Sequence, residues 1–192
     1  MRRFTFIVGA LVAATVALIS CSSNKQDSTS NENSANAIVC YFSATGTTEK
    51  AAQRIANLTG ATLYKIEPQE LYSEADLDWR DSLSRSSVEM RNRDFRPALK
   101  DSVVNLSEYS VVFIGYPNWW NTHPTLINTF IEANDLEGKT IVPFMTSGGS
   151  NITNSEKELK ESYPSLTFAK GLLMNNVSDE EISTWANGVI NP

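Results

Sequence analysis

The chain has 192 residues, of which 22 are acidic and 16 are basic, and its formal net charge is −6 at pH 7. An acidic chain without a basic cluster is a poor match for nucleic acid or for an anionic membrane surface. One histidine and two cysteines, without metal-ligand spacing, give no support to a metal site.

The beginning of the chain has the features of an export signal. Two arginines precede an apolar stretch from 4 to 19, which is shorter than the ~20 residues that a membrane-spanning helix requires. The next feature, Leu18-Ile19-Ser20-Cys21, resembles a bacterial lipobox, in which cleavage precedes the cysteine and the cysteine carries lipid. We expect residues 1–20 to be a lipoprotein signal peptide, with a plain transmembrane anchor as the alternative. The resemblance implies a protein exported from the cytoplasm and held in the bacterial cell envelope by lipid on Cys21.

Residues 21–36 are rich in serine and asparagine and predict a flexible tether after the lipidated cysteine. The folded part is then 37–192, which is long enough for one domain with a substantial core. Loss of both arginines with the signal would make its charge −8. Cys40 would be the one remaining cysteine, so no internal disulfide is expected, and its apolar surroundings predict a buried core residue.

Short apolar runs recur along this domain and alternate with helical patterns. The runs lie at 37–42, 61–66, 111–116, 140–145 and, more weakly, 165–171. Helical periodicity follows near 51–58, 124–131, 155–162 and 179–190. Nearly continuous apolar strands separated by helices predict a parallel sheet covered on both faces. The charged segment 67–104 is longer than a simple connection and predicts one helix within an irregular arm.

A loop rich in hydroxyl groups follows the first apolar run. Ser43, Thr45, Thr47 and Thr48 surround Gly46 just before a helical pattern begins. A helix N-terminus attracts anions, and hydroxyl groups can donate hydrogen bonds to phosphate. The loop matches neither a Walker motif, which needs Gly-Lys-Ser/Thr, nor the three-glycine dinucleotide fingerprint. It predicts a site for a terminal phosphate monoester, with no lysine or arginine in the motif, and a simple helix cap is the alternative.

The six-residue segment Ser43-Ala44-Thr45-Gly46-Thr47-Thr48 resembles the phosphate loop of flavodoxins, whose pattern is Ser/Thr-x-Thr-Gly-x-Thr. The resemblance covers most of 37–190 and implies FMN as the cofactor. It also implies the flavodoxin-like α/β fold, a three-layer α/β/α sandwich with a five-stranded parallel sheet in the order 2-1-3-4-5.

Two later loops lie where flavodoxins hold the isoalloxazine ring. They are Tyr116-Pro117-Asn118-Trp119-Trp120 and Thr146-Ser147-Gly148-Gly149. The resemblance implies that all of these residues bind the cofactor. We expect one tryptophan to stack on the ring and the other to pack against the fold. Asn118 would face the N5 edge, and the N–H groups of Gly148 and Gly149 would reach the pyrimidine edge. Ordinary packing and a flexible turn are the alternatives.

Two further features are left open by the sequence. His123 is either a proton donor or flavin contact, or simply the residue that starts a helix before Pro124. Asp76 and Asp78 lie near Trp79 in the arm and either line the flavin pocket or face solvent.

Three classes of function follow from the resemblance. The first is a membrane-anchored electron carrier with an unknown redox partner. The second is an FMN-dependent enzyme that reduces a quinone-like acceptor with NAD(P)H. The third is a binding module of the same fold that has lost the cofactor. The intact hydroxyl loop favours the flavin-binding classes.

Overall fold

The computed structural model describes residues 36–192. The expected signal peptide, Cys21 and most of the expected tether lie outside the described residues. The strands are β1 (Ala37–Tyr41), β2 (Thr62–Lys65), β3 (Val111–Pro117), β4 (Thr140–Thr146), β5 (Thr167–Phe168) and β6 (Leu172–Leu173). The helices are α1 (Thr47–Thr59), α2 (Arg85–Arg91), α3 (Thr125–Ala133), α4 (Thr153–Ser162) and α5 (Asp179–Ile190).

The strands form one parallel sheet in the order β2-β1-β3-β4, and β5 and β6 both pair with β4. The expected α/β sandwich and the order 2-1-3-4-5 are therefore confirmed. Its hydroxyl loop follows β1 and its two expected ring loops follow β3 and β4, so all three lie at the carboxyl edge of the sheet. Ligands of open parallel sheets bind at this edge.

The fifth position of the sheet differs from the single strand predicted over 165–171. The backbone carbonyls of Ile141 and Met145 in β4 accept from the N–H groups of Ala169 and Met174. Pro143 lies two residues from each, so its backbone also faces the neighbouring strands β5 and β6. Proline has no N–H to donate, and the neighbouring chain leaves the ladder opposite it. The backbone between β5 and β6 bonds side chains instead, because Gly171 N donates to Glu156 at 2.7 Å.

Apolar side chains fill both faces of the sheet. One face packs against α3 and α4, and the other packs against α1 and α5. The central strands β1, β3 and β4 are buried almost throughout, as the continuous apolar runs predict. Cys40 is completely buried, which confirms it as a core residue, and this burial raises the pKa of its thiol.

The arm between β2 and β3 forms a long loop whose two ends lie next to each other. Its two ends meet where Gln69 N donates to the carbonyl of Ala98 and Lys100 N donates to that of Glu67. Between them lie a 3₁₀ turn (Ala75–Leu77) and α2, so the prediction of one helix in an irregular arm is confirmed. The arm reaches the carboxyl edge of the sheet.

Within residues 36–192, no helix combines the length and the apolar character needed to cross a membrane.

Candidate functional site

The hydroxyl loop leaves the first turn of α1 without a side-chain cap. Gly46 precedes the helix with a φ of 84°, a left-handed conformation that favours glycine. The N–H groups of the first turn are therefore free for another partner, and the helix dipole adds partial positive charge there. This end of α1 can hold an anion.

The four hydroxyl groups of the loop have different surroundings. Thr45 and Thr47 are exposed, with their Oγ1 atoms 3.4 Å apart. Ser43 Oγ is buried and has no hydrogen-bond partner. Thr48 is only 1% exposed and bonds Thr146 Oγ1 at 2.8 Å. The exposed hydroxyls of Thr45 and Thr47 are thus available to a ligand, whereas Thr48 fastens the loop to the end of β4.

Two basic side chains that lie outside the sequence motif reach the same place. Thr45 and Thr47 line a cavity of about 510 Å³, the hydroxyl cavity, together with Lys50 and Arg54 of α1. Arg54 is paired with Asp179 at 2.6 Å, while Lys50 makes no ion pair within the described residues. The spacing between Thr47 and Lys50, three positions on a helix, is the signal that could have revealed this cation.

The loop after β3 makes a tight turn that presents one tryptophan to solvent. Trp119 and Thr122 exchange two backbone hydrogen bonds of 3.0 Å. The two residues between them, Trp120 and Asn121, have φ values of 48° and 63°, as in a type I′ turn. A tryptophan in the left-handed region is strained by roughly 1–2 kcal/mol, and such strain often marks a functional position.

The two tryptophans of this loop have separate roles. Trp119 packs edge-on against Phe42 and Tyr72, with ring centroids 5.7 and 5.2 Å away. Trp120 is 46% exposed. Trp119, which is only partly buried, therefore packs against the fold, whereas Trp120 is free for stacking.

The loop after β4 is organised by its own serine. Ser147 Oγ accepts from the N–H groups of Gly149 and Ser150 at 3.1 and 2.8 Å. The expectation that both glycine N–H groups are free is therefore only half met, since Gly148 alone has an uncommitted N–H. Asn175 holds the loop from the other side, because its side chain accepts from Ser147 N and donates to Ser147 O.

Thr146 joins the three loops. Its hydroxyl bonds Thr48 of the first loop, and its carbonyl accepts from Asn118 N of the second at 2.7 Å. These contacts hold the three loops together at the edge of the sheet, and preorganisation of this kind lowers the entropic cost of binding.

A second cavity of about 670 Å³, the indole cavity, adjoins the first. It is lined by Leu77, Trp79, Ser86, Asn118, Trp119, Trp120, Asn121, Gly148, Gly149 and Ser150. The hydroxyl cavity is lined by Pro117, Thr146 and Ser147 as well, and both cavities share Asn118 and Gly148. The two cavities therefore form one continuous cleft.

Not every predicted site residue lines this cleft. Neither cavity is lined by Ser43, Ala44, Gly46, Thr48 or Tyr116. Tyr116 is fully buried, and its hydroxyl accepts from Ser155 at 2.9 Å. Burial raises the pKa of Tyr116, so it acts through packing and not as an ionising group.

His123 supports the turn after β3 from the interior of the fold. It is fully buried, and Arg93 donates to its Nε2 at 3.1 Å. Because a guanidinium can only donate, Nδ1 carries the proton and points at Ser155 Oγ, 3.1 Å away. Burial, and then the charge of Arg93, lower the pKa of His123 to about 3. A buried neutral imidazole that lines neither cavity is not a proton donor to a ligand there.

The acids of the arm do not line the cleft either. Asp76 accepts from the N–H and hydroxyl of Ser73 at 2.8 and 2.7 Å, and these hydrogen bonds lower the pKa of Asp76. Asp78 accepts from Arg80 N at 3.0 Å. Both carboxylates shape the arm locally. Trp79, which follows Asp78 in the chain, lines the indole cavity.

Two observations test whether the cleft fits the expected cofactor. Asn118 lines both cavities, and its Oδ1 is a buried polar atom without a partner, as is expected where a ligand or water would bind. Buried atoms without a partner also occur outside the cavities, at Ser43 Oγ, Thr125 Oγ1 and Asn128 Oδ1. Thr45 and Thr47, from the loop expected to bind phosphate, line the hydroxyl cavity with their exposed hydroxyls. A molecule with a phosphate at one end and a planar aromatic ring at the other fits both cavities.

Comparison with known proteins agrees with this geometry. A family model described as Flavodoxin matches residues 36–189. A candidate flavoprotein from Bacteroides uniformis is 49% identical with a TM-score of 0.76, and the match covers 79% of this chain and 97% of that one. A second candidate flavoprotein, from Bacteroides eggerthii, is 49% identical with a TM-score of 0.78, and the match covers 81% of this chain and 98% of that one.

A more distant structure shares the fold. A flavoprotein from Lactobacillus acidophilus, solved in complex with FMN, is 22% identical with a TM-score of 0.62, and the match covers 79% of this chain and 99% of that one. No curated protein sequence matches the chain.

Proposed function

The chain belongs to the flavodoxin family, and on that premise we propose that it binds FMN in the cleft and carries electrons through it. One observation carries this proposal. The hydroxyl cavity and the indole cavity share Asn118 and Gly148, so one ligand can reach a helix N-terminus and an aromatic wall together. FMN has a phosphate at one end and a planar ring at the other, and the related Lactobacillus protein is named as an FMN complex.

The phosphate end is bound by the hydroxyl loop. Thr45 and Thr47 donate hydrogen bonds, and the uncapped N–H groups of α1 add further donors. Lys50 supplies a positive charge near the phosphate. Hydrogen bonds to a charged group are each worth about 1.5–3 kcal/mol, so this end supplies most of the binding energy.

The ring end is bound by two loops. Trp120 offers an exposed indole, Gly148 offers a free N–H, and the unpartnered Asn118 Oδ1 can accept a hydrogen bond from a ring N–H. Bound FMN supplies the redox chemistry, and the protein orients it and sets its electrostatic surroundings. The acidic chain disfavours additional negative charge on the ring.

The carrier role is favoured over an NAD(P)H-dependent reductase. A reductase needs an open face over the ring for its substrate. The indole cavity is lined by Trp79 on the arm and by Trp119 and Trp120 in the loop after β3, which leaves less room for such a substrate. A module that has lost its cofactor is disfavoured by Asn118 Oδ1, a buried atom without a partner in a residue that lines both cavities. The redox partner would dock near the exposed Trp120, with positive charges that complement the acidic chain.

The membrane location rests on the sequence alone. Cys21 follows a lipobox-like segment and would carry lipid, with 21–36 as a tether. Expressed in a bacterial host, the wild-type chain should sediment with membranes and incorporate labelled fatty acid. Cys21→Ser should lose both properties. A variant that keeps the label would exclude Cys21 as the lipid attachment site.

A first experiment tests cofactor binding directly. The purified full chain is incubated with FMN, dialysed, and examined by visible spectroscopy. We expect a retained flavin spectrum, with little oxidation of NADH or NADPH when a quinone is added. A folded but colourless protein would contradict FMN binding, and rapid nicotinamide oxidation would replace the carrier by a reductase.

A further inference from the structure

The turn after β3 keeps two of its residues in an unfavourable backbone conformation. Trp120 and Asn121 both have a positive φ, which residues with a Cβ adopt at a cost in free energy. Such conformations persist only where the surrounding contacts determine them. The contacts that hold this turn therefore also fix the direction in which the Trp120 indole points.

The side of α4 supplies several of these contacts. Glu158 Oε2 accepts from the hydroxyl of Thr122 at 2.6 Å. Its other oxygen accepts from Asn154 Nδ2 at 2.9 Å, and the same amide nitrogen donates to the carbonyl of Asn121 at 3.1 Å. Glu158 thus holds Thr122 directly and Asn121 through Asn154. Both of the residues that follow Trp120 are tied to this one carboxylate.

The arm adds a positive charge to the same cluster. Arg93 donates to Glu158 Oε2 at 3.3 Å and to the carbonyl of His123 at 3.0 Å. Hydrogen bonds between a guanidinium and a carboxylate are stronger than those between neutral groups. Thr122 is buried, so little water competes for its hydroxyl. The carboxylate is therefore held by the arm while it holds the turn.

Only a carboxylate can accept from all of these donors. One oxygen of Glu158 accepts from Thr122 and Arg93, and the other accepts from Asn154. A glutamine has one accepting oxygen and one donating nitrogen, so it would turn a donor towards either Arg93 or Asn154. Arg93 cannot accept, and Asn154 could accept only by turning its own oxygen towards the carbonyl of Asn121 and losing that bond.

The cluster lies outside the cleft. Neither Glu158 nor Asn154 lines the hydroxyl cavity or the indole cavity, whereas Trp120 and Asn121 line the indole cavity. Any effect of the carboxylate on a ligand in the cleft therefore passes through the turn.

We propose that Glu158 is a positioning residue for the flavin site, and that it sets the direction of the Trp120 indole by holding the two residues after it. This inference rests on the proposed function, in which Trp120 meets the ring of FMN. Glu158 does not touch the ligand and takes no part in electron transfer. It makes the side of α4, and not only the loops at the strand ends, a determinant of flavin affinity.

A double-mutant cycle tests whether Glu158 acts through Trp120. The full chain, Glu158→Gln, Trp120→Ala and the double variant are titrated with FMN and with riboflavin, which shares the ring but lacks the phosphate. Binding is followed by flavin fluorescence. Glu161→Gln is the matched control, because it makes the same change on the same helix and Glu161 has only an exposed pair with Lys157 at 3.8 Å.

Glu158→Gln should raise the Kd for both flavins by about threefold, and Trp120→Ala should raise it by about tenfold. In the Trp120→Ala background, Glu158→Gln should have no further effect, because no indole is left to position. Glu161→Gln should bind like the wild type. Equal losses from Glu158→Gln in both backgrounds would show a general structural role and would overturn the proposal.

Asn154→Ala is a second test that leaves Arg93 and Thr122 in place. It removes the bond to the carbonyl of Asn121 and should weaken flavin binding only when Trp120 is present. An unchanged Kd would contradict the proposal, since Glu158 would then not act through Asn121. Urea unfolding without flavin measures the stability of each variant, and Asn154→Ala decides the question if Glu158→Gln does not fold.

Different outcomes identify which idea fails. If the wild type binds both flavins and Glu158→Gln matches Glu161→Gln, Glu158 has no positioning role and the proposed function stands. If Trp120→Ala leaves both Kd values unchanged, Trp120 does not meet the ring, and the inference fails while FMN binding stands. If the folded wild type binds neither flavin, both the proposed function and the inference are wrong.

Discussion

The two cavities of the cleft are built in different ways. The hydroxyl cavity depends on one short segment, in which Thr45, Thr47 and Lys50 lie within six consecutive positions. The indole cavity is lined by residues from the arm, from α2 and from the loops after β3 and β4. A site made by one turn of chain is visible as a motif, whereas a site made by distant segments exists only after folding.

The cavities also differ in what holds them in place. Backbone geometry at the start of α1 forms the first, with Gly46 in a left-handed conformation. Buried side chains support the second, including the chain of contacts from Arg93 through His123 and Ser155 to Tyr116. The first cavity should therefore respond to changes in the ligand's charge, and the second to changes that disturb side-chain packing or protonation.

The largest expected effect tests the phosphate end. Thr45→Ala with Thr47→Ala should weaken FMN binding by roughly 2–4 kcal/mol, because each lost hydrogen bond to a charged group costs about 1.5–3 kcal/mol and the two are partly coupled. Thr48 is avoided, since its buried bond to Thr146 would also affect folding. Riboflavin affinity should not change, and Thr184→Ala on the exposed side of α5 is the control. An equal loss for riboflavin would show that these threonines do not contact phosphate.

Acid should destabilise the fold through His123, which is buried behind the turn after β3. The pKa of His123 falls from 6.5 to about 3 on folding, so its contribution to stability is complete above pH 6.5 and is lost as the pH falls towards 3. Between pH 7 and pH 5 this group alone should remove about 2 kcal/mol from the free energy of unfolding. Glu132, whose pKa is lowered by Arg96, loses its contribution only below pH 4.5.

Urea unfolding at pH 7, 6 and 5 measures this loss in the free energy of unfolding. His123→Gln should be less stable than the wild type at pH 7, and its stability should change much less over the interval. Parallel pH profiles for the two proteins would show that His123 does not become protonated as the protein unfolds.

A smaller effect concerns the free energy of unfolding, which should change in opposite directions when Gly46 or Gly188 is replaced by alanine. Gly46→Ala should lower the free energy of unfolding by about 1 kcal/mol, because alanine is strained at a φ of 84°. Gly188→Ala should raise it by roughly 0.5–1 kcal/mol, because this glycine lies within α5 and an added Cβ meets nothing within 4 Å. Thermal or urea unfolding compares the two. Equal effects of the same sign would contradict the backbone account of the hydroxyl loop.

The smallest expected effect concerns Lys50. Lys50→Gln should weaken FMN binding by about 0.3–1 kcal/mol at low salt, the range for exposed charges. The difference should shrink as salt is added, and riboflavin should bind equally well to both proteins. Lys160→Gln, on the exposed side of α4, is the control. A loss that does not depend on salt would place Lys50 outside the phosphate site.

The parts of the molecule that were predictable have local causes. Apolar periodicity indicated the sheet, its helices and the position of the three loops, because burial on both faces demands continuous apolar strands. The arm and its single helix were indicated by length and charge. Pro143 was visible in the sequence, but its effect on the fifth strand depends on which side of β4 it faces, and that is a property of the register.

The hydroxyl loop shows how far a motif can be interpreted. Its four hydroxyls looked equivalent, yet Thr48 is buried against Thr146 while Thr45 and Thr47 remain exposed. Gly148 and Gly149 also looked equivalent, yet only Gly149 donates to Ser147 Oγ. Residue type indicates what a side chain can bind, and tertiary structure decides whether a nearer partner has already taken it.

The sequence by itself determined the class of fold and the supply of hydroxyls at the start of α1, since each depends on residues near in the chain. Only the tertiary structure decided that Trp119 is packed while Trp120 is exposed, and that Trp79 borders the indole cavity. Trp79 and Trp120, about 40 positions apart, line one cavity because the arm returns to the edge of the parallel sheet. No periodicity or motif encodes that meeting, because packing between distant segments creates it.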